Sequence, residues 1–158
     1  MPHRPLPGLL FTAGGSTAAA VVGGLGSRRA PEVYARLDKP DWAPPAGVFG
    51  PVWTGLYSAI AVAGWRLWQR RTEPTATTAL RLHATQLALN AAWPWMFFSA
   101  RNRTAALAVI AALDATIAAE IATAARVDRP AAALLTPYLA WSLFATALTS
   151  AVSDPGSR

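Results

Sequence analysis

The stretch from Lys39 to Tyr57 reads KPDWAPPAGVFGPVWTGLY. Pro40, Pro44 and Pro45 remove backbone donors and push the residues before them out of the helical region. The segment therefore starts as extended chain. It then enters an apolar run that meets no charge until Arg66. Trp42, Phe49, Trp53 and Tyr57 fall within sixteen positions of this stretch. A soluble loop has little use for so many rings, whereas a rigid segment lying over a cavity between membrane helices uses them all.

Outward from this stretch the charge pattern points the same way. Charged residues make up 14% of the 158-residue chain and apolar ones 53%, against about 25% charged in an ordinary soluble domain. Of the 14 basic and 8 acidic side chains, only Asp114 and Glu120 fall inside the long apolar stretches. The rest lie between or beside them, as in a multispanning membrane protein; a soluble bundle places charges along every exposed helix face. The net charge of +6 does not indicate nucleic acid. The arginines sit in pairs at the ends of apolar runs (Arg28–Arg29, Arg70–Arg71, Arg101 and Arg103) and not on one face. The chain has no cysteine, which excludes disulfides, thiolate metal sites and cysteine nucleophiles.

The pattern predicts an all-α integral membrane bundle of five transmembrane helices, forming one domain over 1–158. The spans fall at about 6–27, 44–65, 82–100, 104–125 and 131–152, with a long polar loop over 28–43. Pro5 to Ser27 is uncharged for 23 residues, enough to cross a ~30 Å hydrocarbon core and longer than a signal-peptide core. In it Gly15, Ala19 and Gly23 repeat at four-residue spacing, which favours close helix packing. Trp65 and Trp68 suit an interfacial aromatic belt. Asn102 centres a tight turn, and the tail Asp154–Arg158 is expected to fray. With five spans, the basic residues divide seven to seven between the two sides and do not orient the chain.

Three constellations could carry chemistry. In the third span His83, Gln86, Asn90, Trp93 and Phe97 share one helix face, and Pro94 frees a backbone carbonyl near Asn90. Trp53 and Tyr57 share a face of the second span. Tyr138, Trp141, Ala145 and Leu148 run along the fifth. Facing one another, these side chains would line a slot suited to a flat aromatic or sterol-like ligand. Asp114 and Glu120 are the second constellation. An intramembrane carboxylate costs roughly 2.5–3.5 kcal/mol on insertion scales, so Glu120 is expected to snorkel to the surface and Asp114 to bond a neighbouring helix, with a proton relay as the alternative. The third is His83, expected as a wet interfacial side chain near the start of its span, with haem ligation or pH sensing as the alternatives. No histidine pair, glycine-rich phosphate loop or Ser–His–Asp spacing suggests hydrolysis or nucleotide binding, and no metal site is expected.

With these residues in view, the chain resembles the TspO/MBR family, also called translocator, tryptophan-rich sensory or peripheral-type benzodiazepine receptor proteins. The likeness rests on KPDWAPP at 39–45, VFGPVWTGLY at 48–57, QLALNAAWPWMFF at 86–98 and PYLAWSLFATAL at 137–148, in the family's order and spacing. The resemblance implies five transmembrane helices, a homodimer, and binding of porphyrins such as protoporphyrin or haem and of benzodiazepine- and isoquinoline-type drugs. It implies that Trp53 and Trp141 are the two pocket tryptophans tied to porphyrin binding and light-dependent porphyrin breakdown. It makes Asn90 the pocket asparagine, Ala145 the small residue against the ligand, and Trp42 the tryptophan of the closing loop. After Leu148 the chain departs from the pattern: Thr149, Ser150 and Ala151 replace the forward cholesterol motif, and only a reversed Arg29…Tyr34…Leu37 version exists, which is a weak pattern.

The expected ligand-binding set is thus Trp42, Phe49, Trp53, Tyr57, Asn90, Trp93, Tyr138, Trp141, Ala145 and Leu148. The expected function is binding of porphyrins and other flat hydrophobic ligands as sensor, carrier or scavenger, with no cofactor required. The alternatives are light-dependent porphyrin degradation through Trp53 and Trp141, and a proton-linked transporter using Asp114 and Glu120. The expected partners are the lipid bilayer, a porphyrin-type small molecule and a second copy of the chain. Arginine outnumbers lysine 13 to 1 and alanine abounds, a hint of a GC-rich bacterial gene and so of a bacterial cytoplasmic membrane.

Overall fold

Five long helical stretches and one short helix account for most of the chain. The computed structural model describes residues 5–153; the expectation for Asp154–Arg158 lies outside them. Helix α1 is Leu6–Gly26, with a wider π-helical turn at Leu10–Gly14. Helix α2 is Ala30–Arg36. Helix α3 is Phe49–Gln69, entered through a 3₁₀ turn at Ala46–Val48. Helix α4 is Pro74–Pro94 and continues as a π-helical turn, Trp95–Ser99. Helices α5 and α6 are Arg103–Ala124 and Arg129–Ala151. The all-helical character follows from long apolar runs in which alanine and leucine, strong helix formers, dominate.

Local chemistry sets the helix ends. Asn102 accepts a hydrogen bond from the Ala105 N–H and caps α5, and Asp128 accepts one from the Ala131 N–H and caps α6. Pro74 and Pro130 occupy first-turn positions where their missing N–H costs nothing. The helix expected over 82–100 therefore begins at Pro74, since Arg81 lies on an exposed face within the helix and does not end it. Likewise α3 runs past Arg66 to Gln69. Arg66 and Arg70 both reach across to Asp128, at 2.9 and 3.2 Å, so their charges are satisfied without breaking the helix.

The long helices close into a ring. α1 packs on α4, α4 on α5, α5 on α6, α6 on α3, and α3 returns to α1. The Gly15–Ala19–Gly23 stripe faces this seam: Ala19 is buried, Gly15 lies against Leu87 and Gly23 against Tyr57, Ala91 and Pro94. Trp95 donates to the Val22 carbonyl and Ser99 to the Gly26 carbonyl, which ties the ends of α1 and α4 together. At the other end Phe11 stacks on Trp68.

Four stretches, Leu6–Gly26, Ala46–Gln69, Arg103–Ala124 and Arg129–Ala151, are long and apolar enough to cross a membrane. α4 has the length but buries His83, Gln86 and Asn90, so its apolar signal is diluted by residues that face the bundle.

The 28–43 loop is more ordered than an extended connection. Helix α2 fills its centre, with Lys39 Nζ donating to the Tyr34 and Leu37 carbonyls just past its C-terminal end. Asp38 and Ser153 exchange both backbone hydrogen bonds. Tyr34 donates to the Pro44 carbonyl at 2.8 Å. Val33, Tyr34 and Leu37 share a small core with Phe97, Ala106, Leu148 and Val152. The loop is thus stapled across one end of the ring.

Candidate functional site

The ring does not fill its own interior beneath that staple. A cavity of about 360 Å³ lies between α1, α2, the first half of α3, the second half of α4, and α5 and α6. This falls within the range of about 300–1,000 Å³ for small-molecule sites. α1 and the residue that follows it offer small residues, Ala20, Gly23, Gly24 and Ser27, which leaves the space open. The opposite walls are aromatic. Trp53 packs on Tyr57 at 5.5 Å between ring centroids, and Phe49 meets Trp141 edge-on at 5.9 Å. Trp93 stacks on Phe97 at 5.2 Å, and Phe98 closes on it edge-on. Among the described residues no charged side chain lines the cavity.

Of the residues expected to hold a ligand, Phe49, Trp53, Tyr57, Asn90, Trp93, Trp141 and Ala145 line the space. Three do not. Trp42 is 51% exposed and rests edge-on against Phe144, which in turn packs on Trp141, so it reaches the wall only through another ring. Tyr138 is fully buried behind Asn90. Leu148 belongs to the small core under the loop. The sequence pattern groups Tyr138 and Leu148 with Trp141 because helical spacing defines a face, whereas the cavity touches only the middle of that face.

Other wall residues lie outside the expected set. Ser142 follows Trp141 and stands three positions before Ala145, a spacing that places it on the same face. Ile110 and Leu113 mark the inward face of α5. Tyr34, Ala30 and Pro31 come from α2 and have no periodic signal, because only the folding of the loop over the ring brings them there. Burial raises the Tyr34 hydroxyl above its ordinary pKa, which keeps it neutral as a donor to Pro44.

The polar groups of the wall are few. Asn90 is held on both sides, accepting from Tyr57 at 2.6 Å and donating to Tyr138 at 2.7 Å. The indole N–H groups of Trp93 and Trp141 and the hydroxyl of Ser142 are buried without a partner. An unsatisfied buried donor costs about 1–3 kcal/mol, and these three polar atoms have essentially no accessible surface, so the side chains meet the cavity with their carbon faces. Flat stacking faces with few polar groups and no ionised group suit recognition of a planar, largely apolar molecule. They do not suit ion passage or acid–base chemistry at this site.

Two expectations fail here. His83 is not a wet interfacial side chain but is fully buried, and Glu120 does not snorkel but is fully buried as well. They meet each other, with His83 Nδ1 2.7 Å from Glu120 Oε1. Mutual pairing offsets the desolvation that would otherwise drive each to water. His83 does not line the cavity, so it is not placed to ligate the iron of a haem there. Asp114 accepts from Thr146 on α6 at 2.7 Å, the bond to a neighbouring helix that was expected. Among the described residues no cluster of three or more His, Asp or Glu is placed to hold a metal ion.

A family profile, that of the TspO/MBR family, matches residues 10–153. The chain belongs to the TspO/MBR family. It is 43% identical to the human translocator protein over 121 residues, 75% of this chain and 72% of the human one. It is 37% identical to the tryptophan-rich sensory protein of Cereibacter sphaeroides over 117 residues, 74% and 72% of the two chains. It is also 37% identical to the tryptophan-rich protein TspO of Archaeoglobus fulgidus over 119 residues, 75% and 76%. Family membership and the apolar helices together make this TspO/MBR protein a multi-pass integral membrane protein.

Proposed function

We propose that this TspO/MBR protein is a membrane-embedded binding protein for porphyrins and related flat hydrophobic ligands, acting as sensor, carrier or scavenger. The observation that carries this reading is the uncharged, ring-walled cavity bounded by Trp53, Trp93 and Trp141, with Asn90 between them. The names of the similar proteins, a translocator and a sensory protein, fit it. In this reading α4 is a fifth span whose polar face is turned inward, the molecule works as a homodimer, and its bilayer is a bacterial cytoplasmic membrane. The test is tryptophan quenching by protoporphyrin in detergent. Trp53→Phe with Trp141→Phe is expected to weaken binding at least tenfold; unchanged affinity assigns the ligand elsewhere.

A second reading, light-driven porphyrin breakdown, draws on the same two oxidisable indoles at the cavity wall. Illumination of the complex should then bleach the Soret band faster than for porphyrin in empty micelles. Equal rates remove this reading and leave the binding proposal untouched.

A further inference from the structure

Behind the polar wall of the cavity runs a line of side chains that stacking on a ligand does not explain. Tyr57 Oη donates to Asn90 Oδ1 at 2.6 Å, Asn90 Nδ2 to Tyr138 Oη at 2.7 Å, and Tyr138 Oη to Gln86 Oε1 at 2.9 Å. Gln86 Nε2 stands 3.5 Å from His83 Nδ1, the same nitrogen that lies 2.7 Å from Glu120 Oε1. Tyr138, Gln86, His83 and Glu120 are all fully buried. The place at the end of the line is built for the imidazole: a Cβ on Gly64 would come within 2.6 Å of His83 Nε2. His83 Nε2 and Glu120 Oε2 have no other partner. Among the described residues the pair is therefore bound to itself and to this line alone.

Each link joins groups that serve as donor or acceptor once an amide turns over or a hydroxyl rotates. A tyrosine oxygen carries one hydrogen. The line thus has two self-consistent directions. Running toward His83, it spends the Tyr57 hydrogen on Asn90, and Tyr57 shows the cavity a lone pair. Running the other way, Asn90 donates to Tyr57, and the Tyr57 O–H is free to point at a guest. The far end selects between them. His83 Nδ1 has one in-plane site. Glu120, at 2.7 Å, occupies that site, and Gln86, at 3.5 Å, senses it through its dipole and not through a second hydrogen bond. When Nδ1 accepts from a protonated Glu120 it draws the Gln86 amide nitrogen, and when it donates to the Glu120 carboxylate it draws the Gln86 oxygen.

We infer that the His83–Glu120 pair belongs to the ligand site as a positioning pair. The place of its shared proton sets, through Gln86, Tyr138 and Asn90, whether the wall at Tyr57 accepts or donates a hydrogen bond. In the direction present, the wall accepts, which suits a ligand N–H or O–H such as a pyrrole N–H. The reversed direction suits a ligand carbonyl or carboxylate. The proton moves only between Glu120 Oε1 and His83 Nδ1, so none enters or leaves the bundle. The nature of the guest rests on the proposed tetrapyrrole pocket; the coupling along the line does not.

Infrared difference spectroscopy on the full chain reads this directly. The chain has three glutamates, and Glu32 and Glu73 are exposed, so ¹³C-glutamate labelling isolates the band of the buried Glu120. Tyr57→Phe removes the cavity end of the line and Tyr138→Phe its middle. The expected result is a shift of the Glu120 band in Tyr57→Phe, a protein whose fold is checked by circular dichroism. A band unchanged there overturns the coupling, because a merely structural pair does not sense a hydroxyl at the far end. In the wild type, bound protoporphyrin is expected to shift the same band, and in Tyr138→Phe to leave it still. Binding seen by quenching with no band shift overturns the inference. Absence of quenching counts against the tetrapyrrole reading instead, and the Tyr57→Phe comparison then decides the coupling.

Discussion

Single residues decide what this cavity admits. Ala145 is the small residue of the α6 wall, 9% exposed and beside the space. Ala145→Phe should fill the cavity and abolish protoporphyrin quenching while the protein stays folded in detergent, at a cost no greater than the roughly 1–3 kcal/mol of an overpacked site, since the ring enters existing space. Asp128 acts at the opposite end of the bundle. Burial pushes its carboxyl up, but the Arg66 hydrogen bond, the Ala131 N–H and the charges of Arg66 and Arg70 outweigh this and hold its pKa below the ordinary 3.8. A carboxylate with a depressed folded pKa adds stability above its unfolded pKa, and that stability is lost as pH falls through the folded value. Asp128→Asn keeps the cap and loses the ion pairs, whose arginines are partly exposed, so it should cost about 1 kcal/mol at neutral pH. The difference from wild type should shrink as pH falls below 3.8 and vanish only below the depressed folded value. A gap that persists in acid would assign Asp128 a packing role only.

At the scale of elements, the loop helix α2 and the seam between α3 and α4 hold the site in shape. Tyr34 joins α2 to Pro44 by one hydrogen bond and to Phe49 by an edge contact of 5.4 Å. Tyr34→Phe keeps the ring and drops the bond, at about 1 kcal/mol. Amide exchange over residues 38–48 should accelerate several-fold while α5 and α6 keep their protection; uniform exchange changes would show that α2 is not a separable clasp. At the seam, Gly64→Val forces the His83 ring from its seat, and overpacking of this kind costs typically 1–3 kcal/mol. The helix positions were legible in the charge pattern. The start of α4 and the presence of α2 were not, because capping, proline at a first turn and a charge-satisfied helix end outweigh the local hydropathy on which a span estimate rests. Glu120 is instructive. It stands in phase with buried Ala106, Ile110, Leu113, Ile117 and Ala124, so periodicity alone marks it as inward, against the general expectation that a lone carboxylate seeks water.

For the molecule as a whole, the outstanding architectural quantity is the number of crossings. α4 is where it is decided, since the other four long stretches are apolar enough by themselves. The chain has no cysteine, so single cysteines report cleanly. Thr72→Cys and Asn102→Cys, at the two ends of α4 and its continuation, should be labelled by an impermeant maleimide from opposite faces of sealed vesicles. Labelling from one face would mean that α4 does not cross.

The amino-acid order by itself determined that this is a bundle of apolar helices with its charges at the ends, and it put Trp53, Asn90 and Trp141 each on a face shared with other candidate residues of its helix, because a helix repeats every 3.6 residues. That these faces meet around one cavity is the work of the tertiary structure. Only the tertiary structure decided which part of each face meets the cavity, that α2 closes one end, and that His83 and Glu120 find each other 37 residues apart. Such pairings depend on how the helices rotate and slide against one another, and side-chain volumes summed over the whole ring set that geometry, not any local stretch of chain.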